Sequence, residues 1–341
     1  MPDSAREPSW WEGVRLHVVT GKGGTGKTTV AAALALGLAA GGHRVLLVEV
    51  EGRQGISQTF DVAPLATTET RVANASGGGE VVGLSVDAKA ALLEYLQIFY
   101  KLGRAGGVLE RFGAIDFATT IAPGVRDVLL IGKVYEANRR GRDGRPRRRP
   151  DTPPAYDAIV LDAPPTGRVV RFLSVNSEVA GLARVGPIRG QADSITTMLT
   201  SPQTVVHVVT LLEDMPVQET VDAIAALEAA SFRVGGVVIN HMREPLLAAR
   251  QLAAAAKGRI DRDRVTSGLE AVGLRATEAV LSGLADEVRD HAIRVALEAE
   301  QLAVVDALGR PTYRLPSLPE GVDAGAVREL ADELTAQGMI P

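Results

Sequence analysis

An α/β fold, a mostly parallel sheet with helices on both faces and a helical insert, is predicted by three features of the 341-residue chain. Short β-branched runs recur along it. The stretches between several of them place apolar residues at helical spacing. The strand-like runs are almost continuously apolar, the pattern of strands buried on both faces.

Residues 1–13, "MPDSAREPSWWEG", are polar and are expected to be a tail without signal peptide or anchor. One domain is expected over residues 14–341. Its first strand is "GVRLHVVT", Gly13 to Thr20, and "KTTVAAALALGLAAGG" is a strong helix former stopped by Gly41 and Gly42. "HRVLLVEV" is the next strand, completing a βαβ unit. From about 86 to 138, "AALLEYLQIFYKLG" and "PGVRDVLLIGKVYEA" carry apolar residues at helical spacing and form the predicted insert. "RRGRDGRPRRRP", Arg139 to Pro150, is too polar and too rich in Gly and Pro to pack, and is read as a basic loop. It leads into "YDAIVLDAPP" from Tyr156, a strand. "TVVHVVTLLED" from Thr204 and "VGGVVINH" from Val234 are strands too, with a helix between them marked by Val217, Val221, Ile224 and Leu227. Residues 245–310 are expected to be helical, broken at "KGRIDRDR" and at Gly283.

Composition excludes several classes. A formal charge of -4, from 37 basic and 41 acidic residues, argues against a nucleic-acid-coating surface. Without cysteine there is no disulfide, thiolate metal site, iron–sulfur ligation or cysteine nucleophile within this sequence. The apolar run at 30–40 falls well short of the roughly 20 residues that cross a bilayer. A cytoplasmic location is expected, with peripheral membrane association as the alternative.

"GKGGTGKT", Gly21 to Thr28, satisfies G-x-x-x-x-G-K-[ST] between a strand and a helix, where the pattern has physical meaning. Backbone N–H groups of Gly23, Gly24, Thr25, Gly26, Lys27, Thr28 and Thr29 would cradle phosphates, helped by the helix N-terminus. Lys27 would lie beside the β- and γ-phosphates of ATP, and the Thr28 hydroxyl would coordinate Mg²⁺. Asp162, after a buried apolar run and before a Pro/Gly turn, is the expected second Mg²⁺ partner. The other reading for Asp162 is a turn or cap residue.

"GKGGTGKT" resembles the deviant phosphate loop of the dimeric ATPases that include partitioning and septum-positioning proteins, the nitrogenase iron protein and the arsenite-pump ATPases. In that class the early lysine, here Lys22, reaches the phosphates of the other subunit, much as an arginine finger does. Further segments resemble the branch formed by the arsenite-pump ATPase and the ATPase that delivers tail-anchored membrane proteins. "DAPPTGRVVRFL", Asp162 to Leu173, is similar to its second switch, with Arg168 where the family has histidine. "APGVRDVL", Ala122 to Leu129, is similar to its P-G-x-x-[DE] element. "VVINHM" carries Asn240 where the family asparagine contacts adenine; a strand-end turn is the equal alternative. "YRLPSLPEGVD" is similar to a late loop closing over adenine, with Leu315 and Pro316 as contacts.

The departures are informative. The family's first switch begins with an aspartate that positions the attacking water; Glu51 aligns there, with Glu49 two positions before it. Its longer side chain shifts the carboxylate, which implies slow turnover or chemistry shared with a partner. The metalloid cysteines of the pump and the C-x-x-C zinc clasp of the tail-anchor relative are missing. The resemblance implies a Mg²⁺-dependent ATPase acting as a homodimer or as a heterodimer with a related subunit, holding a hydrophobic client or a membrane-associated partner. No nucleic acid is expected. Leu92, Leu93, Leu96, Phe99, Tyr100 and Val108 would line a client groove or cap the core. The rival readings are a septum-positioning or partitioning scaffold, against which the acidic tail "VRELADELTAQGMIP" weighs, and a nucleotide sensor that does not hydrolyse.

Overall fold

The computed structural model describes residues 13–50, 52, 54–87, 90–91, 123–147, 149, 151–182, 187–243, 245–318 and 321–340. Its strands are β1 (Leu16–Gly21), β2 (Arg44–Glu49), β3 (Thr70–Asn74), β4 (Glu80–Ser85), β5 (Ala158–Asp162), β6 (Thr204–Thr210), β7 (Val234–Met242) and β8 (Thr312–Pro316). They form one eight-stranded sheet in the order β3-β4-β2-β5-β1-β6-β7-β8. Every pairing is parallel except β3 with β4 at one edge. The expected α/β architecture is therefore present, and β1 sits centrally between β5 and β6.

Residue alternation along the strands divides the core into two layers. Leu16, Val18, Leu46, Val48, Ile159 and Leu161 face one side. That side is covered by α3 (Pro123–Arg139), α4 (Thr166–Leu182), α5 (Pro187–Leu199) and α6 (Asp214–Ala229). Val19, Val45, Leu47 and Val160 face the other, against α1 (Lys27–Ala39), the short α2 (Gly55–Thr59) and α10 (Ala324–Ala336). Helix α1 is buried almost all round because the Ala-rich sequence lets strands and α10 approach it closely. The remaining helices are α7 (Ala249–Ala255), α8 (Arg262–Ala271) and α9 (Glu278–Asp306).

Two expectations are corrected. Gly283 does not break a helix: it lies inside α9, in open space, where a glycine costs only about 1 kcal/mol. The break falls before Thr277, whose hydroxyl accepts the Val280 N–H and starts α9. Tyr313 to Pro316 are not loop but edge strand β8, with Tyr313 and Leu315 buried and Arg314 exposed in strand alternation. The described part of the arginine segment is a loop with residues 142–146 exposed, anchored at its start: Arg140 and Gly141 bridge to Pro146 and Pro154, and Arg140 pairs with Glu69 while lying over the Tyr156 ring. Its polarity is accommodated by backbone bridges and ion pairs rather than by apolar burial. Of the predicted insert, residues 92–122 lie outside the described residues, and with them the six apolar groove candidates.

Two histidines cross the middle of the sheet. His17 on β1 and His207 on β6 are stacked, with Nδ1 of the first 3.2 Å from Nε2 of the second. Burial lowers the pKa of His17 to about 3, and burial together with His17 lowers that of His207.

Candidate nucleotide site

The glycine-rich loop follows β1 at the C-terminal edge of the sheet, where open α/β sheets bind ligands. Gly24 and Gly26 have φ of +89° and +84°, left-handed conformations that a side chain would strain. A Cβ on Gly26 would also lie 2.3 Å from Asn240 Nδ2. The Thr25 hydroxyl donates to the Lys22 carbonyl at 2.9 Å, closing the turn from inside. Asn240, 5% exposed at the end of β7, donates to the Thr25 carbonyl at 3.0 Å and braces the loop from a neighbouring strand.

Lys27 and Thr28 begin α1, so their side chains leave the helix terminus beside the loop. The Thr28 hydroxyl donates to Asp162 Oδ2 at 2.6 Å. That contact exists because β5 pairs with β1 and ends on Asp162, level with Val19 two residues before the loop begins. Glu49 is the register partner of Asp162 on the other side, in β2. Its carboxylate is 2% exposed; Oε2 accepts the Ile56 N–H at 3.4 Å, while Oε1 is buried with no hydrogen-bond partner among the described residues. Gly55, at the start of α2, leaves room for only a hydrogen there, since a Cβ would touch the Thr28 methyl at 3.0 Å.

Lys22 leaves the loop in another direction, toward α6, where Nζ lies 2.8 Å from Glu219 Oε1. Thr166, the first residue of α4, donates to Glu219 Oε2 at 3.1 Å. The Lys22 ammonium holds the Glu219 carboxyl below the usual carboxylate range. The segments similar to the family's second switch and to its P-G-x-x-[DE] element meet in space. Arg168 Nη2 is 4.0 Å from Asp127 Oδ1 at a cleft of about 210 Å³ that Val50 and Pro164 also line. Burial pushes the Asp127 carboxyl up despite Arg168, Arg126 and Arg171 nearby. A smaller cleft beside Asn240 is lined by Leu212, Glu213, His241 and Met242.

The structure thus brings together Lys22 to Thr29, Asp162 and Asn240. Glu51 lies outside the described residues. Leu315 is fully buried in the core layer with α1 and α10, and Pro316 is exposed opposite Met242. Glu219, Thr166 and the Asn240–Thr25 brace escape a reading of the sequence, because each depends on neighbours remote in the chain. Glu219 does have one local signal, its place one turn into the helix that follows β6.

A divalent cation has a fitting donor set here. Thr28, Asp162 and the orphaned Glu49 oxygen are hard oxygen donors at adjacent strand ends, the type Mg²⁺ prefers. Among the described residues no group of three or more His, Cys, Asp or Glu is arranged to hold a metal. Among the same residues no helix is long and apolar enough to cross a membrane.

Comparison with known proteins shows the family. The sequence model of the family described as anion-transporting ATPase matches residues 14–201, from before β1 through α5. ATPase BagA of Mycobacterium tuberculosis is 50% identical over 97% of this chain and 96% of its own length. A Chlorobaculum tepidum protein described as an arsenical pump-driving ATPase is 24% identical, covering 67% of this chain and 61% of its own. ATPase ARSA1 of Chlamydomonas reinhardtii is 26% identical over 53% of this chain and 25% of its own. With the loop, the strand-end carboxylate and the sheet order all in place, the chain belongs to the anion-transporting ATPase family and is an ATP hydrolase.

Proposed function

We propose that the chain is a Mg²⁺-dependent ATPase that works as a nucleotide-driven dimer switch, with ATP closing two subunits and hydrolysis releasing a client or membrane-associated partner. The observation that carries this reading is the pair of lysines with divergent destinations. Lys27 issues from the helix terminus at the loop, whereas Lys22 sits outside it on Glu219. A cation next to the phosphate cradle but directed away from it is suited to reach a second subunit.

In this reading the loop amides and the α1 terminus bind the ATP phosphates, and Lys27 offsets their charge. A Mg²⁺ ion held here would supply Lewis-acid chemistry that offsets charge developing on the phosphates. Thr28 and Asp162 would hold it, and Glu49 would orient water beside it. The Asn240 amide spends one of its two N–H groups on Thr25, and its Oδ1 would accept from the exocyclic amine of adenine. Pro316 would close that end through its exposed ring, and Leu315 would support the closure from the core.

Glu51 stands where the resemblance expects an aspartate, and we read this as a division of labour in which a related subunit supplies the aspartate. A native mass measurement on the chain from its own cells tests that pairing, which a homodimer alone would overturn. The switch itself is tested by phosphate release and sedimentation with and without ATP and Mg²⁺. Lys22→Ala should still bind nucleotide yet lose turnover, and ATP should drive protein purified from its own cells to associate with its paired subunit. A monomer under all conditions, or wild-type turnover in Lys22→Ala, overturns the switch.

A further inference from the structure

The strongest basic concentration in this acidic chain lies far from the glycine-rich loop. Between Arg139 and Thr152 there are seven arginines against two aspartates. The described part of this backbone is held in place. Arg147 N–H donates to the Arg139 carbonyl and Gly141 N–H to the Arg145 carbonyl, both at 2.8 Å. On the other flank Ala155 N–H donates to the Arg140 carbonyl at 2.8 Å and Arg142 N–H to the Pro153 carbonyl at 3.2 Å. The chain leaving α3 is thus clamped between two returning segments.

Beside this frame lies a half-open cavity of about 740 Å³ lined by Arg139, Asp143, Arg145, Pro146, Arg147 and Thr152. The single carboxylate is engaged locally, accepting the Arg145 N–H at 3.0 Å. Arg139 leans on Tyr135, its guanidinium 5.3 Å from the ring centroid and bonded to the hydroxyl at 2.9 Å. Arg15, just before β1, is close enough to Arg147 for the two charges to repel, which together with its burial lowers its pKa. Like charges gathered on a fixed backbone cost free energy, and a bound polyanion removes that cost. Guanidinium groups fork onto phosphate oxygens in pairs, which suits Arg139, Arg145 and Arg147 to clustered phosphates.

We infer that this cavity is an anion site for a soluble oligophosphate, a small molecule carrying at least two linked phosphate groups. Concavity favours a discrete ligand over a flat bilayer, and the volume lies within the range of small-molecule sites. Arg15 precedes β1 and the arginine segment precedes β5, so the cavity lies at the N-terminal edge of the sheet. A strand length, about 20 Å, separates it from the glycine-rich loop. The inference is independent of the proposed switch.

The test is calorimetric titration of inorganic tripolyphosphate into Lys27→Ala protein, in which the glycine-rich loop is disabled. Binding of one equivalent is expected, weakened by about tenfold or more when Arg139, Arg145 and Arg147 are all changed to Gln. Arg142→Gln, outside the cavity lining, should change affinity by less than about twofold. Thermal melting of each variant establishes that it is folded. No binding to Lys27→Ala, equal binding by the triple variant, or an equal loss in Arg142→Gln overturns the site. So does arginine-dependent capture by phosphatidylglycerol vesicles, but not phosphatidylcholine ones, when tripolyphosphate does not bind.

Discussion

Lys22 Nζ and Glu219 Oε1 are 2.8 Å apart within one chain, although Lys22 belongs to the glycine-rich loop and Glu219 to the helix after β6. Both side chains are about a third exposed, at 30% and 35%. Water screens such a pair to roughly 0.2–1 kcal/mol. The contact therefore holds the lysine in place without locking it there.

A weak restraint on a functional cation predicts a gain when it is removed. Glu219→Gln should raise ATP-dependent phosphate release by up to about fivefold at limiting protein, the factor that 1 kcal/mol supplies. The gain should vanish in the double variant with Lys22→Ala. Unchanged release in Glu219→Gln, or a gain that survives without Lys22, would remove the restraint from the mechanism.

The Thr28–Asp162 contact predicts a different pattern. Thr28→Ala and Asp162→Asn each remove a proposed Mg²⁺ donor and leave the loop glycines untouched. Turnover should fall by roughly 100-fold or more in each, and the Mg²⁺ concentration for half-maximal rate should rise. A melting temperature within a few degrees of wild type separates this loss from unfolding. Turnover that keeps its wild-type Mg²⁺ dependence would count against the assignment.

The stacked histidines predict a pH dependence of stability. His17 ionises near pH 3 when folded and near 6.5 when unfolded, so between these values only the unfolded chain takes up the proton. Their contribution is complete above pH 6.5 and declines as the pH falls below it. Each buried histidine accounts for up to about 1.4 kcal/mol per pH unit, and His207, also lowered, adds to the slope. Urea unfolding between pH 7.5 and 5 should show stability level at the top of this range and falling below 6.5. A flat profile down to pH 5, above the usual carboxylate range, contradicts the burial of neutral rings.

Much of this architecture is legible in the residues themselves. β1, β2, β5, β6 and β7 are runs of Val, Leu and Ile buried on both faces, and such runs announce themselves. β3, "TRVAN", and β8, "TYRLP", are five-residue edge strands with exposed polar positions, so nothing in their composition separates them from loop. β4, "EVVGLS", is masked by the glycines immediately before it. The loop and Asp162 are legible because helix termini and strand ends constrain which residue types do this work. Glu49 and Glu219 are not, because a carboxylate acquires meaning from neighbours: one from strand pairing with Asp162, the other from a lysine remote in sequence.

Gly26 and Asn240 give the sharpest test of the loop's construction. A methyl on Gly26 meets two separate obstacles, a φ of +84° and the Asn240 amide at 2.3 Å. Asn240→Ala clears the second while losing the bond to Thr25, at a cost of about 1 kcal/mol, and the proposed adenine contact, so recovery in the double variant is read against Asn240→Ala alone. Gly26→Ala should therefore reduce nucleotide affinity more than Asn240→Ala does. The double variant should recover only part of the loss, because the left-handed backbone still costs roughly 1 kcal/mol with any side chain. Isothermal titration with a non-hydrolysable ATP analogue measures all three. Full recovery would mean that the amide alone forbids a side chain, and no recovery would mean that the backbone alone does; either result separates two constraints that a single glycine satisfies together.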